Sequence, residues 1–251
     1  MIDAYRKAAP EVTGMHAVIP AAGRGSRLEG LTGSQPKGLV SIADRPLLAW
    51  VFERAVEAGA DALVVMIGYK GAQIVKRFGD SFRDIPITYV HQREQCGLGH
   101  AVLQAEIHVD GTFLMLNGDN VFVESLTPVV EVADREDVDA VLAVEDVSPD
   151  EATTTGVLQF EDDDVTGIVE KPTDPPSTLV TTGCYVLPEA VFEACKLLRP
   201  SAEGEYQLSE AVGLLARAGY NIATVRLGER VNVNRPADIE RAGDLVRPES
   251  E

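Results

Sequence analysis

Along the first half of the chain, short unbroken apolar runs alternate with stretches in which apolar residues recur every three or four positions. Ala17-Val18-Ile19-Pro20-Ala21 is the first run. It has no polar alternation, as expected of a parallel strand buried on both faces. A glycine-rich turn follows at residues 23–25. Asp44-Arg45-Pro46 then predicts a helix start, with Asp44 as N-cap and Pro46 in the first turn. Leu47, Leu48, Val51, Phe52, Ala55 and Val56 keep helical spacing until Gly59 stops them. Residues 62–67 predict a second buried strand, 72–78 a short helix, 87–90 a third strand and 98–107 a third helix. Residues 113–116 predict a fourth strand, running straight into Asn117-Gly118-Asp119-Asn120.

The second half has a different rhythm. Residues 140–144 read as a strand, and 156–160, an acidic turn and 165–170 read as a β-hairpin. A loop with Pro172, Pro175 and Pro176 leads to a strand at 181–187. Helices follow near 189–198 and 207–218, then a strand at 222–227 and a closing helix at 236–246. Strands alternating with helices predict an α/β fold: a Rossmann-like, mostly parallel open sheet with a more antiparallel C-terminal portion. In such sheets ligands bind beyond the carboxyl ends of the strands, which puts the Gly23 and Asp119 turns on one rim. Without a linker or repeat, the pattern gives an N-terminal extension at 1–14 and a single domain at 15–247. That domain divides into halves at 15–135 and 136–247.

Charge changes the picture. The 251 residues carry 40 Asp and Glu against 22 Lys and Arg, a formal charge of −18. The lysines are Lys7, Lys37, Lys70, Lys76, Lys171 and Lys196. An acid-rich, lysine-poor surface suits the cytoplasm of a halophile, where salt shortens the range of self-repulsion. It excludes nucleic acid and anionic membranes as partners, since both require basic patches. No apolar run reaches the ~18–20 residues of a membrane span. Residues 1–14 lack the apolar region of a secretory signal. Cys96, Cys184 and Cys195 contain no C-x-x-C and read as free thiols. His16, His91, His100 and His108 have no metal-ligand spacing and read as structural. Nothing in the sequence reveals an apolar seam, so a homo-oligomer stays open.

Against that acidic background, Ala21-Ala22-Gly23-Arg24-Gly25-Ser26-Arg27-Leu28 and the later Pro36-Lys37-Gly38 are locally inverted in charge. Glu29 is the only acid between residues 20 and 40. Glycines after a buried strand let backbone N–H groups approach phosphate oxygens, and Arg24, Arg27 and Lys37 add positive charge. A triphosphate explains both features. The Walker A spacing is absent, and Leu28 stands where a dinucleotide fingerprint needs its third glycine.

G-x-G-x-R-L followed by P-K resembles the signature of the sugar-phosphate nucleotidyltransferases, the glucose-1-phosphate thymidylyl- and uridylyltransferase family. The likeness continues in order through Gln92 with Gly97-Leu98-Gly99, Leu116-Asn117-Gly118-Asp119-Asn120, Glu170-Lys171-Pro172, Thr182-Gly183-Cys184-Tyr185, Gly204-Glu205-Tyr206 and, more loosely, Val231-Asn232-Val233-Asn234-Arg235-Pro236. It spans nearly all of residues 15–245.

The resemblance implies the nucleotide-diphospho-sugar transferase type of fold. It also implies a Mg²⁺-dependent condensation of a sugar 1-phosphate, glucose 1-phosphate by default, with UTP or dTTP. Arg27, Lys37, Asp119 and Lys171 are the expected catalytic residues. Ala21, Ala22, Gly23, Arg24, Gly25, Arg27, Lys37, Gln92 and Gly97 would bind the nucleotide, and Gly156, Glu170, Lys171 and Gly183 the sugar phosphate. Asp119 and Asn232 are the expected metal ligands.

The residue chemistry agrees with these assignments. Asp119 is a hard oxygen ligand suited to Mg²⁺, although Gly-Asp-Asn is also good turn chemistry. Asn232 offers an amide oxygen where many relatives carry a second aspartate, or is a structural asparagine. Gln92 can pair with a pyrimidine imide, and backbone groups at Gly97 would complete the base site. Lys171 suits the sugar's phosphate and Glu170 its hydroxyls. Thr155 replaces the tyrosine that often precedes the first sugar-facing glycine, and Glu205 either meets the sugar rim or begins the next helix. Mannose-1-phosphate guanylyltransferase is the alternative enzyme, which Gln92 argues against. A silent sugar-nucleotide-binding relative is the alternative from another class. The charge makes a separate prediction: the denaturation midpoint rises as KCl approaches molar concentration, and a midpoint that falls removes the halophilic reading.

Overall fold

A computed structural model of the chain describes residues 14–23, Leu28 and residues 35–247. The expected N-terminal extension lies outside them, Gly14 excepted. Chain order begins with β1 (Met15–Pro20), the hairpin β2 (Ser41–Ile42) and β3 (Arg45–Pro46), α1 (Leu47–Glu57) and β4 (Ala60–Ile67). Then come α2 (Gly71–Phe78), β5 (Ser81–Phe82), β6 (Ile85–His91), α3 (Leu98–Leu103), β7 (Phe113–Leu116), β8 (Asn120–Phe122) and α4 (Thr127–Ala133). The second half contributes β9 (Ala140–Asp146), α5 (Pro149–Ala152), β10 (Gly156–Glu161), β11 (Asp164–Glu170) and β12 (Leu179–Leu187). It closes with α6 (Ala190–Leu197), α7 (Leu208–Arg217), β13 (Ile222–Arg226), β14 (Arg230–Asn232) and α8 (Pro236–Val246).

The main sheet runs β11-β10-β12-β7-β1-β4-β6-β5, with β9 and then β13 on the other edge of β12. β7, β1, β4 and β6 are mutually parallel. The neighbours of β12 are antiparallel to it. This is the expected mostly parallel α/β sheet with an antiparallel second half. Apolar strands work here because both faces are covered. Val18, Met66 and Met115 face α3, α6 and α7, with Phe113 stacked on Phe192 at 5.2 Å between ring centroids. Ala17, Ile19, Val65 and Leu116 face α1, α2 and α4, where Phe52 and Phe78 meet at 4.9 Å. Alternation of strand side chains sorts neighbouring residues onto the two faces. A third cluster lies apart: Leu28, Val40, Ile42, Leu47, Val121, Val231, Val233 and Ala242, backed by Trp50 and Ile239.

Two local expectations are corrected. Asp44 is not an N-cap. Ala43 and Asp44 have φ of 45° and 63° and form the tight turn of the β2–β3 hairpin, so Pro46 becomes the cap residue and α1 starts at Leu47. Two successive positive-φ residues match the strand twist of a two-residue hairpin. The third helix ends at Leu103, followed by a separate 3₁₀ turn at Glu106–His108 that leaves Ile107 exposed.

The sheet forks at β12. Cys184–Leu187 pair with β7, while on the same edge Val180 pairs with Val157 of β10. Gly183, at φ +78°, sits at the branch. Its carbonyl accepts from the Asn117 backbone N–H at 2.8 Å, and Thr182 O accepts from Asn120 Nδ2 at 2.7 Å. A Cβ at Gly183 would lie 2.5 Å from Asn117 Nδ2 and 2.6 Å from Asn120 Nδ2. Gly183→Ala is therefore expected to lower unfolding free energy by about 2–4 kcal/mol, the sum of a left-handed backbone and a clash. Gly204→Ala, also at positive φ but with open space around the new methyl, should cost only about 1 kcal/mol in the same denaturant titration.

Burial also sets a response to alkali. It raises the Cys184 thiol, moves Cys195 from 9.0 to about 12, and moves Tyr185 from 10.0 to about 12. The folded chain thus keeps protons that the unfolded chain releases. This stability is complete below pH 9 and is lost as pH rises toward 12. Denaturation midpoints should fall between pH 9 and 11, and a Cys184→Ala, Cys195→Ala variant should show a shallower fall over the same interval.

Candidate active site

β1 and β7 lie side by side, yet the chain leaves β1 toward β4 on one flank and leaves β7 beside β12 on the other. This reversal of strand order opens a crevice at their carboxyl ends. The strand ends are packed tightly there. Ala21 N–H donates to Met66 O at 2.9 Å, Gly118 N–H donates to Pro20 O at 3.1 Å, and a Cβ on Gly118 would stand 2.6 Å from that carbonyl.

Two cavities meet above this rim. The larger, of about 510 Å³, brings together Ala21, Ala22, Gly23, Lys37, Gln92, Gly97 and Asp119. The smaller, of about 260 Å³, is walled by Gly156, Glu170, Lys171, Gly183 and Asn232, in the wedge opened by the β12 fork. Asn117, Leu98 and Glu205 belong to both, so the cavities adjoin and share a wall. Arg24, Gly25 and Arg27 lie outside the described residues. Leu28, buried in the third cluster, anchors the chain immediately after them.

Lys37 connects the parts. Its Nζ lies 2.8 Å from Asp119 Oδ2 and 2.8 Å from Asn234 Oδ1. Asn234 Nδ2 in turn donates to Asn232 Oδ1 at 2.8 Å. Val233 N–H donates to Asp119 O at 2.9 Å, and β14 pairs with β8, which places both expected metal ligands on one two-stranded ribbon. The Lys37 side chain is only 12% exposed and that of Asp119 32%, so the pair is screened less than a surface ion pair.

In the wall of the larger cavity, Gly97 takes φ +95°, and a Cβ there would stand 2.7 Å from Tyr206 O. Tyr206 N–H donates to Cys96 O at 2.7 Å and Gly99 N–H donates to Tyr206 O at 2.8 Å, fastening this segment to the loop before α7. Gln92, buried at the end of β6, places its amide nitrogen 3.1 Å from His100 Nδ1.

In the wall of the smaller cavity, Lys171 follows β11 at φ 45°, held by its N–H donating to Thr155 O at 2.9 Å. Its Nζ rests 3.3 Å from Glu203, an exposed pair that costs little to break. Glu205 reaches both cavities rather than only beginning a helix, since α7 starts at Leu208.

Several site residues had no assigned role in the sequence. Asn117 lines both cavities, and its Oδ1 is buried without a partner. Asn234 bridges Lys37 to Asn232. Arg230 lines the smaller cavity, donating to Asn120 Oδ1 at 3.2 Å and Glu145 Oε1 at 2.5 Å. Asn117 and Asn234 lay inside quoted motifs; Arg230 carried no signal beyond being a cation near one.

Among the described residues no three His, Cys, Asp or Glu side chains converge as a metal cage. Asp119, whose Oδ2 Lys37 holds, lines the larger cavity, Asn232 the smaller and Asn117, with its unpartnered Oδ1, both, and all three offer oxygen as the donor atom. Such a set fits a hard divalent cation that takes its remaining ligands from water and phosphate.

Residues 16–229 match the family model described as nucleotidyl transferase. The UTP–glucose-1-phosphate uridylyltransferase AglF of Haloferax volcanii is 43% identical over 238 residues, covering 94% of this chain and 98% of that protein. The bifunctional protein GlmU of Methanococcus maripaludis is 31% identical over 234 residues, covering 92% of this chain but 54% of the relative, so this chain spans about half its length. Among solved structures, a UDP-glucose pyrophosphorylase complexed with UDP-glucose superposes with a TM-score of 0.84 at 26% identity, covering 92% of this chain and 97% of the other. No described helix is long and apolar enough to cross a membrane. In sequence and in topology, this chain belongs to the nucleotidyl transferase family.

Proposed function

We propose that this protein is a cytoplasmic UTP–glucose-1-phosphate uridylyltransferase. In this reading a phosphate oxygen of glucose 1-phosphate forms a bond to the α-phosphorus of UTP, the α–β bridging bond breaks, and pyrophosphate leaves. The observation that carries it is the adjoining pair of cavities, one lined by Gln92 and Lys37 and the other by Glu170 and Lys171. The 43% identity to AglF supports UTP and glucose 1-phosphate as the pair.

The attacking phosphate monoester is ionised near neutral pH, so no side chain has to remove a proton. Catalysis is then positioning and charge stabilisation. Gln92 accepts from the imide N3–H of uracil and donates to O4, and Gly97 gives the base close backbone. Lys37 neutralises charge developing at the α-phosphate, and the glycine loop with Arg24 and Arg27 receives the outer phosphates. Lys171 exchanges Glu203 for the sugar's phosphate and aligns it for attack, while Glu170 accepts hydrogen bonds from sugar hydroxyls. Asp119 and Asn232 would hold Mg²⁺, which when bound supplies positive charge to the phosphates.

Pyrophosphate release from a panel of UTP, dTTP, GTP and CTP against glucose, N-acetylglucosamine and mannose 1-phosphates, in high KCl with Mg²⁺, tests this directly. UTP with glucose 1-phosphate should be the best pair. Preference for GTP with mannose 1-phosphate would make the protein a guanylyltransferase, and no release from any pair would make it a silent relative. Asp119→Ala should lose about 10²–10³ in rate or more with its denaturation midpoint kept, as expected when transition-state charge loses its partner. Near-normal Mg²⁺-dependent turnover in that variant would remove Asp119 as a ligand.

A further inference from the structure

His100 does not line either cavity, yet it holds the side chain that reads the base. Gln92 is only 5% exposed, and its backbone N–H donates to Ile67 O at 2.8 Å, which fixes where the side chain starts. Its amide nitrogen then meets His100 Nδ1 at 3.1 Å. The His100 ring lies 6.4 Å from that of Tyr206, on the loop whose backbone fastens Gly97 and Gly99. Both ends of the contact are therefore set by the main chain.

A carboxamide is nearly symmetric in shape and asymmetric in chemistry: one end accepts and the other donates. Turned over, it presents the opposite pattern at almost no steric cost. Uracil and thymine offer N3–H as donor and O4 as acceptor. Cytosine offers N3 as acceptor and its amino group as donor. A glutamine in one orientation matches the first pair, and the flipped glutamine matches the second. In the tautomer that carries its proton on Nε2, the His100 Nδ1 only accepts, so it takes one Gln92 N–H. The other N–H and the Oε1 atom then remain for the base, in a fixed order.

We propose that His100 is a specificity-determining positioning residue: by fixing the polarity of the Gln92 amide, it selects uracil and thymine over cytosine. This rests on Gln92 as the base-reading residue of the proposed function. Removing the acceptor frees the amide to take either orientation, which raises KM for UTP, lowers it for CTP and leaves kcat nearly unchanged.

The test measures kcat and KM for UTP and CTP with glucose 1-phosphate in four proteins, each checked by its thermal midpoint. His100→Phe keeps a ring beside Tyr206 but removes the acceptor, and its UTP/CTP ratio of kcat/KM should fall about ten-fold or more through KM. His100→Asp removes the ring but places a carboxylate oxygen, which only accepts, near the position of Nδ1, and its ratio should stay within about three-fold of the unmodified protein. Gln92→Ala should lose discrimination altogether. If His100→Phe keeps the ratio while Gln92→Ala loses it, the inference about His100 fails and the base site stands. A ratio that falls as far in His100→Asp as in His100→Phe also overturns it. If Gln92→Ala keeps the ratio, the base site itself is misassigned.

Discussion

A strand edge has one line of hydrogen-bonding groups, and β12 divides that line between two neighbours. β7 takes the stretch after Gly183 and β10 the stretch before it. The division holds only because Gly183 has no side chain where Asn117 and Asn120 press against it. From this branch the smaller cavity follows: it occupies the wedge between the diverging strands. The Asn117–Asp119 turn is fixed by the same bonds, so Asp119 in the larger cavity is registered against the walls of the smaller one. One backbone conformation thus sets the spacing between two substrates that must react in line, where small misplacements are costly.

How far this was legible in the sequence depended on how local each feature is. β1, β4 and β7 announced themselves as apolar runs because a strand covered on both faces needs nothing else. Asp44 misled because Asp-Arg-Pro is equally good chemistry for a helix start. Only the paired positive φ of Ala43 and Asp44 shows that the polar turn closes a hairpin first. β8 and β14 were invisible: each has three residues, and their pairing joins segments more than a hundred positions apart. α4 was missed although Thr127 and Pro128 mark its start, since Val129, Val130 and Val132 look at least as much like strand.

The site divides in the same way. Residues fixed by motif spacing, such as Lys37, Gln92, Asp119, Glu170 and Lys171, do line the cavities. Those whose meaning comes from a partner elsewhere did not show it. Asn234 matters because Lys37 reaches it, and Arg230 because Asn120 and Glu145 accept from it. His100 read as structural, since a lone histidine on a short helix gives no hint that a glutamine eight positions earlier is its partner.

The small third cluster has a consequence for how the chain is made. It closes Leu28, Val40 and Leu47 onto Val231, Val233 and Ala242, and the Lys37–Asn234 bond spans 197 positions. Contacts this distant in the chain close late, because the loop between them must be ordered first. A ribosome that has delivered the first half has therefore built strands, helices and most of the β1–β7 crevice, but not the ribbon that sets Asp119 or the helix that packs on the β2–β3 hairpin. Competence arrives with the last few dozen residues, so an unfinished polypeptide has no completed site in which to commit nucleotide.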